Sequence, residues 1–115
     1  MFKINVSEQD SMFLINVGGN ISKEEINEFF IEYKENIKKI KTSKYNLVVH
    51  PHEFETDDES AMKSIFKKFM KSGFKRIYIL DKIGIKENLR LSKLEKKFFY
   101  NKVTIIDSMD EIKKP

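Results

Sequence analysis

After two opening strand-like segments, this sequence alternates short apolar runs with amphipathic helical stretches. The apolar runs at residues 46–50, 76–80 and 103–106 have the length and composition of buried strands. Helical periodicity separates them and covers about residues 86–100 before the last run. Alternation of this kind predicts right-handed crossovers and a mainly parallel sheet.

The two opening segments predict an antiparallel hairpin. Residues 2–6 alternate apolar and polar side chains, and residues 12–17 do the same after a polar turn. This arrangement places the first strand at or near an edge of the sheet. We expect Gly18 and Gly19 to turn the chain tightly before the first helix.

The first two helices begin at capping boxes, in which a hydroxyl and a carboxylate satisfy the free amides of a helix start. The boxes pair Ser22 with Glu25 and Thr56 with Glu59, and Gly73 is expected to end the second helix. Apolar stripes at helical spacing predict the buried faces of these helices: Ile26, Phe29, Phe30, Tyr33, Ile37 and Ile40 in the first, and Met62, Ile65, Phe66, Phe69 and Met70 in the second.

The predicted order of elements is ββαβαβαβα, ending in a short helix at residues 108–114 in which Met109 and Ile112 pack inward. We therefore predict an α/β fold in one domain, residues 1–115, with a mixed, mainly parallel sheet and an antiparallel N-terminal hairpin. Ten Phe and four Tyr predict an aromatic-rich core.

Composition excludes several kinds of protein. The absence of Cys excludes disulfides and thiolate metal sites, and no run of 18 apolar residues is present for membrane insertion. The first residues carry charges and do not form a signal peptide, so we expect a cytoplasmic protein. The net charge of +4 comes mostly from Lys, since only Arg76 and Arg90 are Arg. A nucleic-acid partner is therefore not expected.

The junction at residues 45–62 is the strongest candidate for a functional site. It is predicted to run from a buried strand through a His-Pro-His turn into an acidic helix start. Junctions of this kind, at the carboxyl ends of strands, commonly hold the recognition residues of α/β domains.

The order and lengths of the segments resemble the STAS domain, which anti-sigma-factor antagonists and sulphate-transporter tails share. The resemblance covers almost the whole chain, and its local support is V-G-G-N-I-S before the first helix and L-V-V-H-P-H-E-F-E-T-D-D-E-S before the second. It implies a regulatory protein-binding domain whose second helix begins at an Asp-Ser-Ser-Gly-like motif. A partner kinase phosphorylates the first serine of that motif and so releases the bound protein.

This sequence departs from the motif where the switch would lie. The resemblance places the family's Asp near Asp57 and its phosphorylated serine near Asp58, which no serine kinase can modify. Ser60 is the nearby candidate for phosphorylation, but it is two positions away, and the following glycine is absent. Pro51 also interrupts a stretch that is usually a smooth strand exit. The resemblance therefore implies a shared fold with an altered or lost switch.

We accordingly predict a non-catalytic protein-binding domain that needs no cofactor and no metal. Its partner would be another protein, either an anti-sigma-type kinase or an assembly partner. Phe54 and Phe74 fall in predicted turns and are expected to be exposed, Phe54 as an apolar centre of the contact. The predicted partner-binding residues are Phe54, Thr56, Asp57, Asp58, Glu59, Ser60 and Met62.

The acidic residues of this set have a simpler interpretation as helix caps and dipole partners. Capping accounts fully for Thr56 and Glu59 but leaves the extra charge of Asp58 less needed. If Asp58 belongs to a binding surface instead, reversing its charge should abolish binding with little change in melting temperature.

Three other groups of residues are weaker candidates for a functional site. His50 and His52, with Glu53 and Glu55, have metal-ligand spacing but too few ligands around a proline. His50, Asp81 and Asp107 each end a predicted strand and would serve acid–base chemistry if they met, but no catalytic motif accompanies them. A cationic face on the third helix would suit an acidic partner, although solvated lysines are the simpler interpretation: Lys86, Arg90, Lys93 and Lys97.

Two alternative functions follow from these observations. The chain would serve as a structural or assembly accessory protein of a phage-type or mobile-element particle, using the fold as a building unit. A weaker alternative is a binder of nucleic acid or a small ligand through the third helix.

Overall fold

The computed structural model describes residues 1–84 and 93–112. Its elements are β1 (Phe2–Ser7), β2 (Met12–Ile21), α1 (Lys23–Lys38), β3 (Asn46–Thr56), α2 (Glu59–Lys71), β4 (Arg76–Leu80), α3 (Lys93–Lys102) and β5 (Val103–Ile106), with short 3-10 turns at Thr42–Lys44 and Met109–Glu111. No helix within these residues is both long enough and apolar enough to cross a membrane.

Within the described residues, the five strands form one sheet in the order β1-β2-β3-β4-β5. β1 and β2 pair antiparallel, and every later pair is parallel. This arrangement confirms the predicted α/β fold, the opening hairpin and the edge position of β1. The carboxyl ends of β2, β3, β4 and β5 consequently point toward the same end of the sheet.

One face of the sheet packs against α1 and α2. The main core joins alternate strand residues to the apolar stripes of both helices, and Phe13, Phe29, Tyr33 and Phe69 lie buried at its centre. Their rings meet at centroid distances of 5.3 to 6.2 Å in edge-on and tilted contacts. The predicted stripes and the aromatic-rich core are confirmed. Phe74, expected to be exposed, is half-buried with its ring 5.5 Å from Phe13.

A smaller cluster lies on the opposite face. Val48, Tyr78, Leu80 and Ile106 are buried there, with Met12, Leu14 and Ile112 packed against them. The two faces of β3 are therefore both covered near its start, as its nearly continuous apolar sequence predicts.

The expected turn at Gly18 and Gly19 is wrong, because β2 continues through both residues to Ile21. Gly18 is needed for close approach instead, since a Cβ at this position would lie 3.0 Å from the Cβ of His52. Gly19 has φ +75°, and the register of β2 against β3 shifts between Val17 and Gly19. The glycine pair thus accommodates a bulged part of the sheet and not its end.

The expected His-Pro-His turn is also wrong, because β3 continues through it to Thr56. β3 pairs with β4 only from Asn46 to Val49, while Pro51 pairs with Val17 of β2. Pro51 therefore lies where no strand of the described residues pairs with β3 on the β4 side, and a missing amide is tolerated at such an edge.

The C-terminal elements differ from the prediction in part. In place of the expected helix at residues 108–114, the described part of this segment forms a 3-10 turn at Met109–Glu111, capped by Ser108 and Glu111, and residues 113–114 lie outside the described residues. Met109 was expected to pack but is 39% exposed, whereas Ile112 packs against the smaller cluster. The predicted third helix at residues 86–100 corresponds to α3, and its first part, residues 86–92, lies outside the described residues.

Candidate functional site

An open groove of about 1130 Å³ lies at the carboxyl end of the sheet, where β3 extends beyond β4. The last residues of β2 and β3 line it together with the start of α2. Lys82 and Ile83, which follow β4, also line the groove. Since carboxyl ends of parallel strands commonly form ligand sites, this groove is the candidate functional site.

The floor of the groove is apolar. Ile21 and Met62 are buried there, and Phe54, Phe66 and Ile83 are half-buried against the main core. Phe54 was expected to be exposed in a turn, but it lies in β3 with its ring packed on the core. An apolar floor that remains partly open to solvent can receive an apolar side chain of a partner.

The walls of the groove carry mostly negative charge. Within the described residues, its carboxylates outnumber its two lysines, Lys63 and Lys82, and these carboxylates belong to Glu25, Glu53, Glu55, Asp57 and Glu59. The chain as a whole has a net charge of +4, so the sign of the groove is opposite to that of the protein. The groove therefore favours a cationic partner.

Asp58 is the N-cap of α2. Its carboxylate accepts a hydrogen bond of 3.0 Å from the amide of Ala61, and its own amide donates to Oγ1 of Thr56 at 3.2 Å. The predicted capping box of Thr56 with Glu59 is thus wrong by two residues. β3 keeps Thr56 extended, so the first non-helical residue before α2 is Asp58.

This role changes the interpretation of Asp58. The charge of Asp58 has a structural use, because a carboxylate at a helix N-terminus accepts a hydrogen bond from a free amide and interacts favourably with the helix dipole. Because Asp58 caps α2, we now expect reversal of its charge to lower the melting temperature as well, so that this variant does not separate binding from stability.

Most of the predicted partner-binding residues line the groove. Ser60 does not line it but lies exposed in the first turn of α2, where its carbonyl accepts from the hydroxyl of Ser64. Asp58 is half-buried in its capping position. The residues of the predicted set that line the groove are Phe54, Thr56, Asp57, Glu59 and Met62.

Glu25 contributes to the groove in a way that differs from its predicted role. The hydroxyl of Ser22 accepts from the Glu25 amide at 3.2 Å, which is half of the predicted capping box. The Glu25 carboxylate, however, accepts from the amino group of Met1 at 3.1 Å. This hydrogen bond lowers the pKa of Glu25. The β1–β2 hairpin brings Met1 there, and the amino group also donates to the carbonyl of Gly18.

His50 and His52 lie beside the groove with their ring centroids 4.2 Å apart. Nε2 of His52 lies 3.1 Å from Oδ1 of Asn16, across the β2–β3 pair. Burial, followed by the nearby charges of His52 and Lys82, lowers the pKa of His50. Within residues 1–84 and 93–112, no group of three or more metal-ligating side chains is present.

Asp81 and Asp107 directly follow β4 and β5, as predicted, but the prediction that His50 ends a strand is wrong, because β3 continues through it to Thr56. The Asp81 carboxylate accepts from the Ile83 amide at 3.3 Å, which stabilises the turn after β4. The ammonium group of Lys82 donates to the backbone carbonyl of Asp107. These contacts use Asp81 and Asp107 to organise the loops after β4 and β5.

Sequence reasoning missed Asn20, Ile21, Lys82 and Ile83 as groove residues. The signal that could have found them is their position directly at or after the ends of β2 and β4. Parallel neighbours of β3 must bring their carboxyl ends beside its own.

Comparison with known proteins gives the fold. No protein-family model and no curated protein matches this sequence. The anti-sigma factor antagonist SpoIIAA, in its unphosphorylated form, is 12% identical over 96% of this chain and 92% of that chain, with a TM-score of 0.60. A DUF3478-family protein from Shewanella loihica PV-4 with a SpoIIAA-like fold is 14% identical over 96% of this chain and 88% of that chain, with a TM-score of 0.64. The chain therefore has the SpoIIAA-like, STAS-type fold that its sequence resembles.

Proposed function

We propose that this chain is a non-catalytic protein-binding domain whose contact surface is the acidic groove. The observation that carries the proposal is the combination of a partly open apolar floor with acidic walls at the carboxyl end of the sheet. One structural neighbour is an anti-sigma factor antagonist, a regulatory protein, which agrees with a fold that works by binding.

The partner that fits this groove presents basic residues around an apolar anchor. A cationic segment complements Glu53, Glu55 and Asp57, and an apolar side chain covers Phe54 and Met62. Nucleic acid does not fit the groove, because its phosphates would face these carboxylates.

We further propose that the junction is a permanently charged binding edge that lacks the serine switch of the STAS family. Asp58 stands near the position of the family's serine, and its carboxylate is used as the cap of α2. Ser60 is the exposed hydroxyl closest to that position, beside Asp57, Asp58 and Glu59. Mass spectrometry after co-expression with an anti-sigma-type kinase should find Ser60 unmodified, and phosphate on Ser60 would contradict the loss of the switch.

Site-specific photo-crosslinking tests the contact surface. Benzoylphenylalanine is introduced at Glu55, which is exposed in the groove, or at Glu35, which is exposed on α1 outside the groove. In living cells of the source organism, the Glu55 position should crosslink a specific protein and the Glu35 position should not. Equal crosslinking at both positions, or none at Glu55, would argue against the groove as a binding surface.

A further inference from the structure

Among the described residues, the second half of β3 has no neighbouring strand on its β4 side, and this side is its free edge. β3 is paired with β4 only from Asn46 to Val49, because β4 ends at Leu80. On the other side, its pairing with β2 continues to Thr56. Within residues 1–84 and 93–112, no strand pairs with the β4 side of β3 beyond Val49. Backbone amide and carbonyl groups on that side therefore have the arrangement of an edge strand.

The groove follows this free edge. Residues 53–56 of β3 form one wall, and Lys82 and Ile83 lie beyond the point where β4 stops. The groove thus occupies the place that a longer β4 would fill.

The side chains along the edge alternate in character. Glu53 and Glu55 are both exposed, whereas Phe54 and Thr56 are half-buried, and Phe54 packs on the main core. Successive residues of a strand point to opposite faces, and neighbouring strands align their faces. A strand laid beside β3 would therefore meet carboxylates on one face and an apolar surface on the other.

The charges also select the occupant. Two copies of this edge would place glutamates beside glutamates, which disfavours self-pairing. The bulge at Val17 and Gly19 and the proline at position 51 further limit indiscriminate pairing. An incoming strand must supply positive charge to be stable here.

We propose that an extended segment of another protein, with Lys or Arg alternating with apolar residues, adds as a strand to the free edge of β3. This inference rests on the proposed binding function and specifies its mode. Backbone hydrogen bonds to residues 52–56 give affinity, basic residues pair with Glu53 and Glu55, and apolar residues cover Phe54.

A peptide selection tests this binding mode without knowledge of the natural partner. A phage-displayed library of random eight-residue peptides is selected on the wild-type protein. The parallel selections use Glu53→Lys/Glu55→Lys and, as a matched control, Glu32→Lys/Glu35→Lys on the exposed surface of α1. Melting temperatures check that all three proteins are folded.

We expect wild type and the α1 control to enrich peptides in which Lys or Arg alternates with Val, Ile, Thr or Phe, and the groove variant to lose them. Peptides with basic or apolar residues at three- and four-residue spacing would overturn strand addition while supporting a groove that binds a helix. Failure to enrich any groove-dependent peptide would overturn strand addition, and the crosslinking result would then decide the proposed function independently.

N-methylation of the selected peptide gives the decisive control. An added strand directs alternate amides toward β3, so methylating one alternate set should weaken binding by about tenfold or more, and methylating the other set should not. Both methylated peptides binding as tightly as the parent would overturn the proposal.

Discussion

Asp58 caps helix α2 and lies beside the acidic groove. Its carboxylate accepts the Ala61 amide, and its amide donates to Thr56, so the chain passes from β3 into α2 through two short-range hydrogen bonds. Asp57, its neighbour, is exposed and lines the groove. The adjacent acids therefore lie in different places, Asp58 in the cap of α2 and Asp57 in the proposed contact surface.

Substitution of these two residues should separate the roles. Asp58→Ala should lower the free energy of unfolding by about 1 kcal/mol, because an amide of α2 loses its cap, while Asp58→Asn retains most of it. Asp57→Ala, the matched control, should change stability little. Urea denaturation measures all three variants, and an Asp58→Ala protein as stable as wild type would show that the cap is dispensable.

At the scale of elements, α1 and α2 are joined by a buried hydroxyl chain. Ser72, which caps the end of α2, donates from its Oγ to the Lys68 carbonyl at 2.6 Å. Its Oγ lies 2.6 Å from the hydroxyl of Tyr33, so Tyr33 acts as the donor in that contact. Burial raises the pKa of Tyr33 to about 12. Thr42 adds a hydrogen bond from the segment after α1 to the carbonyl of Ser72.

This chain predicts an order of effects. Tyr33→Phe removes one hydrogen bond and should cost about 1 kcal/mol. Ser72→Ala should cost more, because it leaves the buried Tyr33 hydroxyl without its acceptor. Chemical denaturation with both single variants measures the ranking, and Tyr33→Phe being the more damaging change would contradict the assignment of donor and acceptor.

The elements also show what local sequence can and cannot predict. Apolar periodicity predicts α1, α2, the β1–β2 hairpin and strands β3 to β5, because the side chains that enter the core recur at the spacing of a helix or a strand. The length of β3 does not, since Pro51 is a strand breaker only where a neighbouring strand needs its amide, and that depends on where β4 ends. Gly18 likewise predicts a turn from the local sequence, because its close approach to His52 depends on the pairing of β2 with β3.

The part of the candidate site that lies in one stretch of the sequence was predictable, and the part that comes from other elements was not. Phe54, Asp57 and Met62 follow from the strand–helix junction, which is local. Lys82 and Glu25 reach the groove from other elements, through sheet order and the hairpin. Non-local placement of this kind leaves no periodic signal in the sequence.

At the scale of the whole molecule, charge is segregated. The chain is basic overall, but its groove is acidic, so a basic partner is attracted to one place and repelled elsewhere. Binding at the groove should accordingly weaken as salt concentration rises.

The stability of the whole domain should depend on the protonation of His50. Burial, together with His52 and Lys82, holds its pKa below the ordinary value of 6.5. The unfolded chain therefore takes up this proton at higher pH than the folded domain does. The contribution to stability is complete above about pH 6.5 and is lost as the pH falls below it.

Thermal unfolding from about pH 7 to about pH 5.5 measures this dependence. The melting temperature of wild type should fall over that interval, and His50→Gln should fall less steeply. Parallel curves for the two proteins would show that His50 does not carry the effect.

Whether the acidic groove binds a protein partner is best measured by the affinity of that partner for matched charge variants. Calorimetric titration with the protein captured by crosslinking at Glu55 compares wild type with two variants, Glu55→Lys in the groove and Glu35→Lys on α1. The two variants change net charge equally. We predict that Glu55→Lys weakens binding by about tenfold or more and that Glu35→Lys binds like wild type. Equal affinities for the two variants would show that the partner does not bind at the groove.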